Sequence, residues 1–117
     1  MKKITIVLTI LLLSLVTINL SATNVSGLIS TNTTWILANS PYIVTGNILV
    51  NNGVTLTIEP GVMIKFNSGL SMEIDGKLIA QGTSSNKITF TSNTTQTAGA
   101  WGYIYFNDAS VDAVFFE

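Results

Sequence analysis

Cysteine, histidine and arginine are all missing from this chain of 117 residues. Without Cys there are no disulfides and no thiolate ligands, and without His there is no imidazole to bind a metal or to shuttle protons near neutral pH. Without Arg, the planar fork that clamps carboxylates and phosphates is gone, and all cationic charge rests on five Lys. Charge of either sign is scarce, at 9% of residues with a net charge of −1. No basic surface exists to neutralise phosphates, so nucleic acid is not expected as a partner. What remains is apolar and small: 47% hydrophobic residues, punctuated by nine Gly and two Pro.

The N-terminus reads as an address. Lys2 and Lys3 precede an apolar run from Ile4 to Val16, followed by polar and small residues through Thr17, Asn19, Ser21, Ala22 and Thr23. Basic, then apolar, then small is the form of a secretory signal peptide, and residues 1–22 are expected to be one, with cleavage near Ala22. The alternative is an uncleaved anchor, for which the 17 residues Ile4 to Leu20 are short. The embedded Thr5, Thr9, Ser14 and Thr17 favour the signal, and no Cys follows to take a lipid. The expected location is outside the cell or on its surface, with the membrane met only through this segment.

Residues 23–40 are rich in Ser, Thr and Asn and carry the trio Trp35, Ile36, Leu37. They are expected to form a lead-in and capping segment, with Trp35 as the plug over the first apolar layer. Beyond Pro41 a two-residue alternation takes over, which puts successive side chains on opposite faces of β-strands. Ile48 and Val50 share one face, then Val54, Leu56 and Ile58, then Val62, Ile64 and Phe66. Asn51-Asn52-Gly53 and Glu59-Pro60-Gly61 separate them as turns. The pattern repeats through Leu70, Met72 and Ile74, Asp75-Gly76, Leu78 and Ala80, Gln81-Gly82, and Ile88 and Phe90.

The repeat is about 22 residues long, a period that signals stacked units none of which buries its apolar face alone. Gly53 and Gly76 stand 23 apart, Gly61 and Gly82 stand 21 apart, and Ile64 and Ile88 stand 24 apart. A meander of hairpins gives no reason for like residues to recur, whereas a parallel coil stacks them about 4.8 Å apart. The expected equivalences are Gly53 with Gly76, Leu56 with Leu78, Ile64 with Ile88 and Phe66 with Phe90, in about four coils of three short strands each. The core is expected to hold Val44, Ile48, Val50, Leu56, Ile58, Val62, Ile64, Phe66, Leu70, Ile74, Leu78, Ile88, Phe90, Ile104 and Phe106. Polar bulges at residues 83–86 and 92–98 are the loops in which recognition would be sought.

The stretch SPYIVTGNILVNNGVTLTIEPGVMIKF, with LIAQGT, KITFTS and GAWGYIYF after it, resembles the opening coils of right-handed parallel β-helix proteins of the pectate-lyase-like superfamily. More narrowly it is similar to the first coils of secreted or surface-exposed β-helix repeat proteins. The resemblance implies an all-β solenoid over residues 41–117 and a chain that is the N-terminal part of a longer β-helix protein. It also implies that a catalytic site in such a protein, an acid cluster holding calcium with a basic proton acceptor or a set of clustered Asp, sits on later coils. No residue here matches those motifs, so no catalytic, cofactor-binding or metal-binding residue is carried over.

The remaining polar residues are weighed on their own chemistry. Glu73 and Asp75 share one strand side, but two carboxylates are too few for a Ca²⁺ ion that takes six to eight oxygens. They read as solvated surface, Asp75 serving its turn; Asp108 and Asp112 read the same way, and Glu59 reads as a turn residue. Lys65 and Lys87 are expected to lay their stems over the outer sheet, beside outward Thr55, Thr57, Thr89 and Thr91. The three Asn-x-Ser/Thr matches, at Asn24, Asn32 and Asn93, decide nothing in a chain this rich in Asn and Thr. Trp101, Tyr103 and Tyr105 share one parity opposite Ile104 and Phe106, an aromatic strip on which a sugar ring could stack.

The leading functional expectation is a non-catalytic extracellular or cell-surface scaffold, adhesin-like, with polysaccharide or cell-surface components as partners. The alternatives are the leading part of a polysaccharide lyase or hydrolase whose site lies downstream, and a carbohydrate-binding module built on Trp101, Tyr103 and Tyr105.

Overall fold

A computed structural model of the chain describes residues 21–94, 97–107 and the backbone of 112–116. The expected signal segment, with the helix it was expected to form, therefore lies almost wholly outside the described residues. Ten strands follow in order, all joined by parallel pairing: β1 (Thr23–Ile29), β2 (Thr33–Trp35), β3 (Tyr42–Val50), β4 (Thr55–Ile58), β5 (Met63–Phe66), β6 (Met72–Ile74), β7 (Lys77–Gln81), β8 (Thr89–Ser92), β9 (Ile104–Phe106) and β10 (Asp112–Phe116). Among the described residues the one helical piece is a 3₁₀ turn at Leu37–Asn39.

The strands form three stacks around a single apolar interior. In the first, Tyr42 of β3 pairs with Ile64 of β5, and Ile64 with Phe90 of β8. In the second, Ile48 of β3 pairs with Met72 of β6, and Met72 with Ile104 of β9. The third stack runs β2, β4, β7, β10, and Leu56 sits on Leu78 as the repeat predicts. One strand, β3, serves two stacks, pairing through Tyr42–Val44 with β5 and through Ile48–Val50 with β6; between these halves lies Gly46, where an added Cβ would come within 3.1 Å of the Ser26 Cβ. A bare backbone at that corner lets the windings approach.

The result is a parallel β-solenoid of about three turns, against the four that the period predicts. The difference comes from longer late windings: Leu56 pairs with Leu78 after 22 residues, but Leu78 pairs with Ala113 only after 35. The same lengthening corrects two expected equivalences. Ile64 pairs with Phe90 rather than Ile88, and Phe66 with Ser92 rather than Phe90, a slip of two residues. Because strand faces repeat every two residues, that slip leaves every side chain on its expected side.

Ten of the fifteen expected core residues are buried, and Leu70, Ile88, Phe90, Ile104 and Phe106 pack against them half-exposed. Trp35, Tyr42, Val54, Met72 and Ala80 complete the buried set. Trp35 belongs to the first winding, is buried, and stacks on Tyr42 with ring centroids 5.0 Å apart. Beside it lies a cavity of about 330 Å³, lined also by Val25, Ile29 and Ile48. Burial pushes the Tyr42 phenol above its ordinary pKa, and its hydroxyl donates to the Ile36 carbonyl at 3.1 Å. The interior ladder Val44, Phe66, Ser92 ends on a polar group, whose Oγ accepts the Thr94 N–H at 3.3 Å.

At the corners, where strand pairing stops, side chains carry the ladder from one winding to the next. Asn32 Oδ1 accepts the Thr55 N–H at 2.9 Å, and Ser40 Oγ accepts the Met63 N–H at 2.9 Å. Asn93 Nδ2 donates to Asn67 Oδ1 at 2.8 Å. These rungs are exposed, so each contributes at most about 0.5–1.5 kcal/mol while extending the ladder past the strand ends. The abundance of Asn and Ser in the turns thus has a cause beyond solubility.

Candidate binding groove

Side chains alternate along a strand, so the residues between the buried ones on the second stack must point outward. Pairing aligns them into one row across four strands: Leu28 of β1, Leu49 of β3, Glu73 of β6 and Tyr105 of β9. Beside this row, where the first stack turns into the second, lies a groove of about 560 Å³. Its floor includes Gly27, Gly69 and Gly102, residues with no side chain to fill it. Asn47 and Ser71 also line it, but their polar atoms are turned along the solenoid axis. Asn47 Oδ1 accepts the Ser71 N–H at 2.9 Å, and Ser71 Oγ accepts the Tyr103 N–H at 3.1 Å.

Of the three expected sugar-contact residues, Tyr103 lines this groove and Tyr105 stands in the row beside it, next to Glu73. Tyr103 is 64% exposed and Tyr105 is 48% exposed, with ring centroids 6.4 Å apart and planes 80° from parallel. Trp101 is not part of an outward strip. Its ring lies flat on that of Phe66, with centroids 4.4 Å apart, and packs against the core. Parity failed there because β9 begins only at Ile104; Gly102 sits in the corner, its N–H donating to the Leu70 carbonyl at 2.8 Å.

The acidic residues are dispersed, and two of them have structural tasks. Glu73 is exposed on the row, whereas Asp75 lies past the end of β6 and accepts the Asn107 Nδ2 at 3.0 Å. Both stand outside the buried Met72 and Ile74, as expected, but among the described residues only the Asp75 carboxylate of the two is engaged. Glu59 Oε2 accepts the Leu37 N–H at 2.9 Å, a bond between windings that the reading of Glu59 as a turn residue missed. Its signal was the spacing of 22 residues between Leu37 and Glu59, one repeat. Among the described residues, no three of Asp, Glu, His or Cys gather where they could hold one metal ion. The side chains of Asp108 and Asp112 lie outside the described residues.

Comparison with known proteins agrees with this architecture. The family model described as a pectate-lyase like beta helix domain matches residues 27–110. Protein bark beetle of Drosophila melanogaster is 43% identical over 53 residues, which cover 45% of this chain and 2% of that protein. The chain thus corresponds to a very small part of that relative's length. No solved structure matches.

Proposed function

The chain belongs to the family of pectate-lyase-like β-helix domains, and from that membership we propose that it acts outside the cell or on its surface as a non-catalytic β-helix scaffold, adhesin-like in role. The observation that carries this reading is where the polar groups are spent. Glu59 and Asp75 hold one winding to the next, as Asn32, Asn47, Asn67, Asn93, Ser40 and Ser71 do. A catalytic carboxylate pair needs two acids in one cleft with their pKa values driven apart. Here Glu59 and Asp75 are tied to separate corners, and Glu73 stands apart from both on the outer row. The basic and apolar leader supports export, and the sparse charge suits a neutral stalk.

The test is turnover. The full chain, incubated with neutral and acidic polysaccharides, is expected to release no reducing ends and no unsaturated products. Saturable turnover by the chain that disappears in Glu73→Gln or Asp75→Asn would overturn the scaffold reading.

A further inference from the structure

We propose that the groove beside the Leu28–Leu49–Glu73–Tyr105 row docks an extended segment of another protein that carries a Lys or Arg flanked by apolar residues. The charge pattern is the first reason. Glu73 stands exposed in the middle of the row, and no hydrogen bond or ion pair within the described residues engages its carboxylate. Leu49 precedes it on one neighbouring strand and Tyr105 follows it on the other. A single uncompensated negative charge between an apolar side chain and an aromatic face is complementary to a cation with an apolar surround.

The second reason is the aromatic geometry. Tyr103 and Tyr105 meet edge to face, and both rings are largely exposed. An ammonium or guanidinium is attracted to the face of such a ring, and Glu73 lies on the strand next to Tyr105. The two attractions act on the same cation.

The third reason is shape and surface. The row crosses three strand spacings of about 4.8 Å each, so it spans about four residues of an extended peptide at about 3.3 Å per residue. Leu28, 59% exposed, and Leu49 offer the apolar contact at one end of that span. A groove volume of about 560 Å³ falls among those of small-ligand and peptide sites. Uronic-acid polymers are disfavoured here, because they would bring carboxylates against Glu73 with no cation lining the groove. A neutral sugar would stack on tyrosine but leave the charge unused.

The inference names a partner class for the scaffold and does not depend on whether the chain also turns over a polysaccharide. Fluorescence polarisation of a labelled Ac-Val-Arg-Val-Arg-Val-amide peptide against the full chain tests it, beside the acidic peptide Ac-Val-Glu-Val-Glu-Val-amide and cellohexaose as a competitor. The basic peptide is expected to bind, weakening about five- to tenfold in Glu73→Gln and in Tyr105→Ala, with the acidic peptide at least about tenfold weaker. Both substitutions are on the surface, and circular dichroism checks that they fold. Equal binding of the basic peptide to Glu73→Gln would overturn the proposal, as would no binding of it, or displacement by cellohexaose at concentrations at which the acidic peptide is inert. The hydrolysis assay is silent in each of these cases, so failure of docking is distinguishable from failure of the scaffold reading.

Discussion

Gly76→Ala is expected to destabilise the chain by about 3 kcal/mol or more, the upper range for forcing atoms into a packed site. A Cβ at residue 76 would collide with the carbonyl oxygens of Val54 and Asn51. Neither oxygen can retreat freely. The Val54 carbonyl accepts the Lys77 N–H at 2.9 Å, and the Asn51 carbonyl accepts the Val54 N–H at 3.0 Å, closing the turn beneath. Moving them breaks a bond between windings or opens the corner. Urea denaturation followed by circular dichroism measures the cost. A change below about 1 kcal/mol would mean that the windings are not in such close contact at this corner.

Phe66→Ala is expected to cost about 3–5 kcal/mol, out of a total of about 5–15 kcal/mol for a domain. Phe66 is fully buried, with Val44 in register on one side and Ser92 on the other, and the Trp101 ring covers its face. Deleting the ring removes its transfer energy, leaves a cavity and strips Trp101 of its stacking partner. Lys65→Ala, one residue away, is the internal comparison. It changes an outward side chain and is expected to stay within about 0.5 kcal/mol. The contrast depends on the strand's two-residue period, since a one-residue shift of register would exchange the two results. Melting curves for both variants, with Trp emission as a second probe of the Phe66–Trp101 contact, supply the measurement.

What the sequence made legible was governed by periodicity. Leu56 and Leu78 stand 22 residues apart, one repeat, and they stack as that period predicts. The repeat predicts Phe66 on Phe90, but Phe66 pairs with Ser92, because the longer loop over residues 82–88 shifts the register by two. Face assignments survived the slip, since the inserted length is even in effect. Parity sets Trp101 outward, but parity holds only inside a strand, and β9 begins after Trp101, at Ile104. Tyr42 shares the parity of the buried Val44, a signal in the sequence that places its ring in the core.

The groove was less legible than the core. Its aromatic members were visible, but Leu28, Leu49 and Glu73 come from three strands and become a row only through pairing. Nothing in the linear sequence aligns Leu28 with Tyr105, because the windings between them differ in length. The corner rungs show the same dependence: Asn47 and Ser71 are separated by 24 residues and Ser71 and Tyr103 by 32, so no fixed period reveals them.

Because the chain has no cysteine, paired thiols report on the stacking without interference. In the solenoid Thr57 is the parallel partner of Ile79, whereas a hairpin across Glu59-Pro60-Gly61 would set Thr57 opposite Met63. The decisive measurement is the rate of disulfide closure, under mild oxidation of the folded chain, in Thr57→Cys/Ile79→Cys against Thr57→Cys/Met63→Cys. Parallel stacking predicts fast closure of the first pair, whose Cα atoms lie at the strand spacing of about 4.8 Å that a disulfide accepts, and slow closure of the second. Faster closure of Thr57→Cys/Met63→Cys would contradict the stacked windings from which the core, the corner rungs and the groove all follow.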